Sequence, residues 1–290
     1  MLFYTQNPLQ FAFSKGLGEV KSELDGLNKF GIVGVPFDST STFKTGARLG
    51  PKAVREASYS FERYNFILGK SIASNVFDFG DIESIHGNFL KTCSNIEYTI
   101  SKLLDMNIVP IVIGGEHTIS YGVLKSMDLE NTTFFQFDAH MDLRNEYMGE
   151  KFSHATTARR IHDLNPKKII QIGVRSSSEE EINFARQNQI KCFSSYDVNK
   201  NLQEVERYIK KINGSIYVSV DIDVLDPCYA PSVGTPSSCG INPFQLERLI
   251  HSFNNKEVIG FDVVEVSSSE FGNITSINAA KAIYDFLCLQ

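Results

Sequence analysis

The chain has 290 residues, which is enough for one large domain or two small ones and for a substantial hydrophobic core. Hydrophobic residues make up 42% and charged residues 21%, the proportions of an ordinary globular protein. The formal net charge of −6 argues against general nucleic-acid binding and is compatible with a cationic substrate. Five cysteines form no Cys-x-x-Cys pair, which favours reduced thiols in a cytoplasmic protein.

The N-terminal residues do not have the pattern of an export signal. Residues 1–15 are mildly apolar, but polar residues and Pro8 interrupt them, and they lack a basic start and a continuous apolar centre. No stretch approaches the roughly 20 apolar residues of a membrane span. Since no linker, repeat or low-complexity segment divides the chain, we expect a single domain over residues 1–290 and no association with membranes or nucleic acid.

The first third of the chain alternates strand-like and helix-like segments. Residues 31–37 form an apolar run typical of a strand, and Pro51 favours a helix over residues 51–64. The loop between them contains glycine but has neither a GxGxxG nor a Walker pattern, so it does not predict phosphate binding. A short strand is predicted over residues 77–81, and the helical spacing of apolar residues predicts an amphipathic core helix over 89–104.

The apolar run 132–136 predicts a strand that ends in three candidate metal ligands. Asp138, His140 and Asp142 follow it, and their spacing of two residues predicts that they project from one face of an extended segment. Two carboxylates held close together repel each other, and a divalent cation that takes both as ligands removes the repulsion. A solvated acidic loop is the alternative interpretation, which this segment by itself does not exclude.

Two further strand-like segments end in the same way. The segment 215–220 leads to Asp221 and Asp223, which are again two residues apart. The run 108–113 leads through two glycines, which permit a tight turn, to His117. Three strands that each end in ligand-type residues are difficult to explain as solvated loops, so the pattern favours a metal site.

The six candidate ligands are four aspartates and two histidines, with no cysteine. This oxygen-rich set suits Mn²⁺ or Mg²⁺, whereas a structural zinc site more often uses thiolates and closes at four ligands. Six ligands are too many for one catalytic ion with an open position, and they suit two ions roughly 3.5–4 Å apart. A water shared by two such ions loses a proton near neutral pH, so the set predicts a binuclear hydrolase.

The remaining segments continue the alternation. Further strands are predicted over residues 169–173, 191–193 and 258–266. Further helices are predicted over residues 179–188, 202–212, 242–254 and 277–287. This order predicts an α/β fold, a three-layer α/β/α arrangement with a mainly parallel sheet and helices on both faces. Active sites in such folds lie beyond the carboxyl ends of the strands, which is where the three ligand segments fall.

The segments 114–117, 138–142 and 219–227 resemble the three signature segments of the ureohydrolase family, which comprises arginases, agmatinases and formiminoglutamases. The likeness extends from residues 31–38 to residues 262–267 and implies the arginase-like fold with two manganese ions per subunit. It implies that one ion is held by His117, Asp138, Asp142 and Asp221, and the other by Asp138, His140, Asp221 and Asp223.

The resemblance also implies two catalytic residues. His154 lies in a Ser-His-Ala-Thr segment like that of the family's proton shuttle, a role that suits imidazole because its pKa lies near neutrality. Glu265 ends an apolar strand, and by the resemblance its carboxylate orients the substrate guanidinium as a bidentate pair. Glu116, beside His117, is expected to support the metal ligands. Structural or surface positions are expected for His86, His162 and His251.

Within the family the chain looks most like agmatinase. Residues 143–153 depart from the Asn- and Ser-rich pattern with which arginases bind the amino-acid end of arginine. We therefore expect hydrolysis of agmatine to putrescine and urea, by attack of a metal-bridging hydroxide and protonation of the departing amine by His154. Arg144 and Lys151 leave open a guanidine with an acidic tail, such as guanidinobutyrate.

Other activities are weighed against this expectation. Arginase activity would keep the chemistry and change the substrate. A non-catalytic assembly subunit would be expected to lose His154 or a ligand aspartate, and neither is lost. A zinc deacetylase of related fold keeps fewer metal ligands. The resemblance further implies a homo-oligomer, a trimer or a hexamer, that acts in the cytoplasm in polyamine biosynthesis.

Overall fold

The computed structural model describes residues 9–16 and 29–290. In this part of the chain the strands are β1 (Lys29–Val35), β2 (Tyr64–Asn65), β3 (Lys70–Ser71), β4 (Val76–Asp81), β5 (Ile108–Gly114), β6 (Thr133–Phe137), β7 (Lys168–Val174), β8 (Lys191–Ser194), β9 (Ile216–Asp221) and β10 (Val258–Val264). The α-helices are α1 (Gly50–Ser58), α2 (Phe89–Asp105), α3 (Ile119–Leu124), α4 (Thr157–His162), α5 (Glu179–Gln187), α6 (Ser195–Lys211), α7 (Pro243–His251) and α8 (Ile274–Leu289).

Eight of these strands form one sheet in the order β4-β1-β5-β10-β9-β6-β7-β8. Every pairing within it is parallel. Helices α1, α6, α7 and α8 pack on one face of the sheet, and α2, α3 and α4 pack on the other. The predicted α/β/α fold with a parallel sheet is therefore confirmed.

The central strands are apolar on both faces because both faces are covered by helices. In β5, Ile111 and Ile113 belong to the core shared with α1 and α8, whereas Val112 belongs to the core shared with α2 and α3. In β6, Phe135 and Phe134 divide between the two cores in the same way. These side chains are fully buried, which explains the continuous apolar runs in the sequence.

Two predicted helices differ most from their boundaries in the structure. The first was expected to reach Tyr64, but α1 ends at Ser58, and Tyr64 instead pairs with Ser71 in a short antiparallel hairpin. The predicted helix over residues 202–212 begins earlier, at Ser195. Its backbone is interrupted at Asn201, where φ is −151° and ψ is 69°, and this kink separates the first turns from the regular helical pattern.

The prediction about an export signal concerns residues 1–15, of which residues 1–8 lie outside the described part of the chain. Across residues 9–16 and 29–290, the structure has no helix with the length and apolarity that crossing a bilayer demands. The single-domain organisation stays a prediction.

Candidate metal centre

The candidate site lies at the carboxyl ends of four neighbouring strands, β5, β10, β9 and β6. The turn after β5 carries His117, and Glu265 directly follows β10. Asp221 is the last residue of β9, and Asp138 directly follows β6. Parallel strands end at the same edge of the sheet, so residues distant in sequence meet there.

The segment after β6 is not extended as the spacing predicts. The strand ends at Phe137, and Asp142 has a left-handed backbone with φ of 53°. A carboxylate oxygen of Asp138 accepts a hydrogen bond from the His140 N–H at 2.6 Å, which closes a tight turn. The three side chains therefore reach the site through a turn, because the strand has ended before they begin.

A similar turn follows β9. Asp223 lies in a short 3₁₀ turn, Ile222–Val224, and its N–H donates to Oδ1 of Asp221 at 2.9 Å. Oδ1 of Asp223 in turn accepts a hydrogen bond from the N–H of Ala139 at 3.0 Å. This last contact joins the segments after β9 and β6 and fixes the distance between their carboxylates.

His117 is surrounded by three carboxylates. Its Nδ1 lies 3.0 Å from Oδ2 of Asp138, 3.1 Å from Oδ2 of Asp142 and 3.5 Å from Oδ2 of Asp221. Despite these distances, Nδ1 makes no hydrogen bond of acceptable geometry. The imidazole nitrogen and the three carboxylate oxygens thus lie close together although the nitrogen forms no hydrogen bond with any of them. This is the arrangement expected of atoms that bind a common cation.

His140 forms a second group beside the first. Its Nδ1 lies 3.0 Å from Oδ2 of Asp223 and 3.5 Å from Oδ1 of Asp138. Asp138 therefore directs one oxygen to each histidine. In the part of the chain that the structure describes, the ligand atoms of His117, Asp138 and Asp221 converge within 4.8 Å, as do those of Asp138, His140 and Asp223.

Burial and mutual repulsion raise the pKa values of two of the carboxylates around His117. Burial and the charge of Asp138 raise the pKa of Asp142 to about 7. Burial, Asp223 and Asp138 raise the pKa of Asp221 well above its usual value. Burial alone would lower the pKa of His140, but Asp223 and Asp138 raise it to about 12. The protein thus holds more negative charge here than two imidazoles offset, which fits a site built for divalent cations.

A hydrogen-bonded chain behind His117 leaves Nδ1 free to bind a metal. Nε2 of His117 lies 3.0 Å from Oγ of Ser219, and that hydroxyl donates to Asp262 at 2.6 Å. Because the serine proton is already given to Asp262, its oxygen accepts from Nε2–H of His117. Tyr217 donates to the other oxygen of Asp262 at 2.7 Å. The arrangement holds His117 in the tautomer whose Nδ1 carries a lone pair.

A cavity of about 210 Å³ opens above the ligand groups. Both candidate catalytic residues line it, His154 and Glu265, together with Arg144 and Tyr147 from the segment after β6. Glu265 is buried and has a left-handed backbone, with φ of 66°. Burial and the nearby Glu116 raise the pKa of Glu265 well above its usual value. Burial and the charges of His140 and His117 lower the pKa of His154 to about 4.

Glu116 does not support His117 directly, in contrast to the expectation. Its Oε2 accepts hydrogen bonds from the N–H groups of Ser39 at 2.7 Å and Thr40 at 2.8 Å. Its Oε1 accepts from the hydroxyls of Thr40 and Thr118. Glu116 therefore anchors the loop after β1 to the end of β5.

Arg175 is a residue of the site that the sequence reasoning missed. Its guanidinium donates to backbone carbonyls on both sides of the loop that follows β9, including Asp223 at 2.8 Å and Ser237 at 2.7 Å. This loop carries Asp223 and Thr235, and Thr235 lines the cavity. Arg175 directly follows β7, and this position at a strand end could have marked it in the sequence as a residue near the site.

The other singled-out residues lie elsewhere. Lys151 is exposed and absent from the cavity wall. His86 is exposed, and His162 packs against the ring of Phe184. His251 lies near Glu247 and Asp285. The ammonium of Lys281 already bonds both of those carboxylates, at 2.9 and 2.5 Å.

Comparison with known proteins identifies the relatives of this chain. The model of the arginase family matches residues 28–288. An agmatinase of Pyrococcus horikoshii is 37% identical over 87% of this chain and 89% of its own length. An N(1)-aminopropylagmatine ureohydrolase of Thermococcus kodakarensis is 35% identical over 88% of each protein.

Solved structures agree with the sequence matches. The crystal structure of agmatine ureohydrolase of Thermoplasma volcanium superposes with a TM-score of 0.82 and 34% sequence identity. The match covers 90% of this chain and 89% of that protein. The fold and the sequence thus point to the same set of relatives.

Proposed function

The chain belongs to the arginase family, and from this premise we propose that it hydrolyses the guanidino group of agmatine to give putrescine and urea. The observation that carries the proposal is the single cavity onto which two ligand groups, Glu265 and His154 converge. The carbon of a guanidinium carries no acidic hydrogen and undergoes no redox step. Attack by an activated water is therefore the reaction for which this arrangement is suited.

The proposed metal ligands are the six residues of the two groups. We propose that His117, Asp138, Asp142 and Asp221 hold one Mn²⁺, and that Asp138, His140, Asp221 and Asp223 hold the other. The orphaned Nδ1 of His117 and the excess of buried carboxylates support this assignment. When bound, two such cations supply a water whose pKa is lowered to near neutrality and which is therefore a nucleophile.

Glu265 is proposed to bind and orient the guanidinium. Oε1 is fixed by the N–H of His117 at 2.8 Å, which sets the plane of the carboxylate. Gly234 lies in front of the other oxygen, and a Cβ at that position would approach Oε2 to 3.1 Å. Because glycine leaves this space open, Oε2 can accept one N–H of a guanidinium, and the remaining lone pair of Oε1 can accept the parallel N–H.

His154 is proposed to protonate the departing amine. It lines the same cavity as Glu265, and the ring of Tyr147 packs edge-on against it with the centroids 5.6 Å apart. An alkylamine leaves poorly as an anion, so proton transfer to its nitrogen must accompany cleavage of the C–N bond. An imidazole within the cavity wall is the group that can supply this proton.

The contacts of Arg144 argue against a substrate with an acidic tail. Arg144 is the residue that would attract an acidic tail, but its Nε lies 3.8 Å from Oε2 of Glu181. Its guanidinium also stacks on the ring of Tyr147 at 5.2 Å. The charge of Arg144 is therefore already offset. An acid-tailed guanidine is the second candidate, since it would have to displace Glu181 from Arg144.

The remaining properties are proposed with the function. We propose a single domain, a homo-oligomer of three or six subunits, and a cytoplasmic role in polyamine biosynthesis. The similarity to relatives named agmatinase and N(1)-aminopropylagmatine ureohydrolase supports the polyamine role.

Urea release tests the proposal. Protein stripped of metal and reloaded with Mn²⁺ would be given agmatine, N(1)-aminopropylagmatine, arginine and 4-guanidinobutyrate in parallel. We expect manganese-dependent turnover mainly of agmatine. His154→Asn serves as the inactive control, and His86→Asn, at an exposed position, serves as the matched control that keeps activity.

Each result has a defined meaning. Preference for 4-guanidinobutyrate would favour the second candidate and show that Arg144 is available to the substrate. Preference for arginine would contradict the interpretation of residues 143–153. If metal is bound and none of the four compounds yields urea, the proposed function is wrong.

A further inference from the structure

The hydroxyl of Thr40 lies between Glu116 and His154, which are far apart in sequence. Oγ1 of Thr40 lies 2.9 Å from Oε1 of Glu116 and 3.0 Å from Nδ1 of His154. The backbone N–H of His154 also donates to Oγ1 of Thr40, at 3.1 Å. One hydroxyl therefore holds both the backbone and the ring of the histidine.

The direction of these hydrogen bonds follows from a count of protons. A threonine hydroxyl has one hydrogen to donate and two lone pairs to accept with. Thr40 donates its hydrogen to Glu116. Both contacts to His154 must then be accepted by Oγ1, so Nδ1 of His154 carries a hydrogen.

The other donors around Glu116 keep its carboxylate an acceptor, so that the hydroxyl of Thr40 donates to it. The two backbone N–H groups of Ser39 and Thr40 bind Oε2, which therefore acts as an acceptor. The hydroxyl of Thr118 donates to Oε1 at 2.8 Å. Glu116 is fully buried, and the two backbone donors fix its carboxylate relative to Thr40.

We propose that Thr40, held by Glu116, is a positioning residue that keeps His154 in the Nδ1–H tautomer and so reserves Nε2 for proton transfer to the substrate. This inference rests on the proposed function for the identity of the proton acceptor, but not for the tautomer. The tautomer of a histidine is set by the hydrogen bond that its other ring nitrogen makes.

The proton balance of the step is simple. Nε2 of the neutral His154 ring first takes a proton from the water that becomes the nucleophile. As the C–N bond of the intermediate breaks, Nε2–H of the resulting imidazolium gives this proton to the amine nitrogen, and the ring returns to the neutral Nδ1–H tautomer. Thr40 and Glu116 gain and lose no proton, and they act only by orienting the ring.

Nitrogen NMR tests the tautomer directly. Protein labelled with ¹⁵N would be examined without metal and with Mg²⁺, which is diamagnetic, and His154 would be assigned from the signals that His154→Asn removes. We expect a protonated Nδ1 and a bare Nε2 in the neutral ring of the wild type. In Thr40→Val, which removes the hydroxyl at nearly constant volume, we expect this preference to disappear.

Two further variants separate the proposed role from a general structural one. Thr40→Ser keeps the hydroxyl and is expected to restore the Nδ1–H tautomer. Thr118→Val removes another donor to Glu116 that makes no contact with His154, and it is expected to leave the nitrogen shifts of His154 unchanged. Circular dichroism and bound-metal content would verify that each variant is folded.

Kinetics supply the second readout. For Thr40→Val we expect kcat to fall by about tenfold or more, with KM within about twofold, because the loss affects proton transfer and leaves guanidinium binding intact. Thr40→Ser should recover most of kcat. A bare Nδ1 in the wild type, or an unchanged tautomer in Thr40→Val, would overturn the proposal. If the wild type releases no urea the proposed function fails, and the nitrogen shifts still decide the tautomer.

Discussion

Oε1 of Glu265 accepts a hydrogen bond from the backbone N–H of His117 at 2.8 Å, although the two residues are 148 positions apart in the chain. The contact exists because β10 lies directly beside β5 in the sheet. The N–H of Glu265 also donates to the carbonyl of Gly115 at 2.8 Å. The proposed substrate-binding carboxylate and a proposed metal ligand are thus fixed to each other through the backbone.

Glu265→Gln should separate these two roles. Glutamine keeps an oxygen that accepts from His117, so we expect the fold and the metal content to be retained. Loss of the negative charge should weaken guanidinium binding and lower kcat/KM by about 10- to 100-fold, the usual value of a charged hydrogen bond. Urea release and elemental analysis are the measurements. Glu257→Gln, at an exposed position, is the control, and equal activity of the two variants would contradict the role of Glu265.

Ser219→Ala should weaken metal binding without touching a ligand. The change removes the acceptor for Nε2–H of His117, so the imidazole loses its fixed tautomer and orientation. We expect the affinity for Mn²⁺ to fall by about 10- to 100-fold, as is typical when a partner of a ligating histidine is removed. Calorimetric titration of metal-free protein measures the change.

Tyr217→Phe is the matched control for this prediction. It removes the other donor to Asp262 but leaves the contact between Ser219 and His117. We expect a clearly smaller loss of affinity. Equal losses in both variants would indicate that the charge of Asp262, and not the tautomer of His117, controls the metal site.

Gly115→Ala should destabilise the protein. The Cβ would collide with the backbone of Phe37, which cannot move without shifting the loop after β1. We expect a loss of about 1–3 kcal/mol in the free energy of unfolding, seen as a lower urea midpoint. Gly122→Ala is the control, since its nearest contacts are the side-chain atoms of Ile96 at 3.2 and 3.3 Å. A midpoint for Gly115→Ala at or above that of the control would contradict the steric argument.

His154 should make the metal-free protein less stable in acid. Its pKa in the folded protein is about 4, below the ordinary value of 6.5, so between these values the unfolded chain binds more protons than the folded one. The free energy of unfolding should therefore fall as the pH is lowered from 6.5 towards 4, by up to about 3 kcal/mol from this group. Urea unfolding from pH 7.5 to pH 4.5 measures it.

The comparison is made with His154→Asn, which has no proton to bind at this position. The decrease in stability with pH should be steeper in the wild type than in the variant, and the two curves should differ most near the acidic end of the range. Parallel curves would mean that the imidazole is not held neutral by burial.

Local patterns were sufficient for much of the site. Asp138, His140, Asp221 and Asp223 were predicted as candidate ligands from apolar strand residues and short spacings between carboxylates, which are visible within a few residues, and the structure brings their side chains together. The parallel sheet followed from the alternation of strands and helices. The kink at Asn201 and the hairpin at Tyr64 were missed, because one backbone interruption and one distant contact changed the local preference.

The sequence by itself therefore determined the α/β class and the strand ends that carry the candidate ligands, and it predicted the kind of metal they suit. The tertiary structure alone decided the strand order, which places Glu265 against His117, Ser219 against Asp262 and, through the loop after β1, Thr40 against His154. These pairs are separated by 148, 43 and 114 residues. Such contacts depend on which strands are neighbours, and that is set by packing the whole sheet between its two layers of helices, because no local segment encodes it.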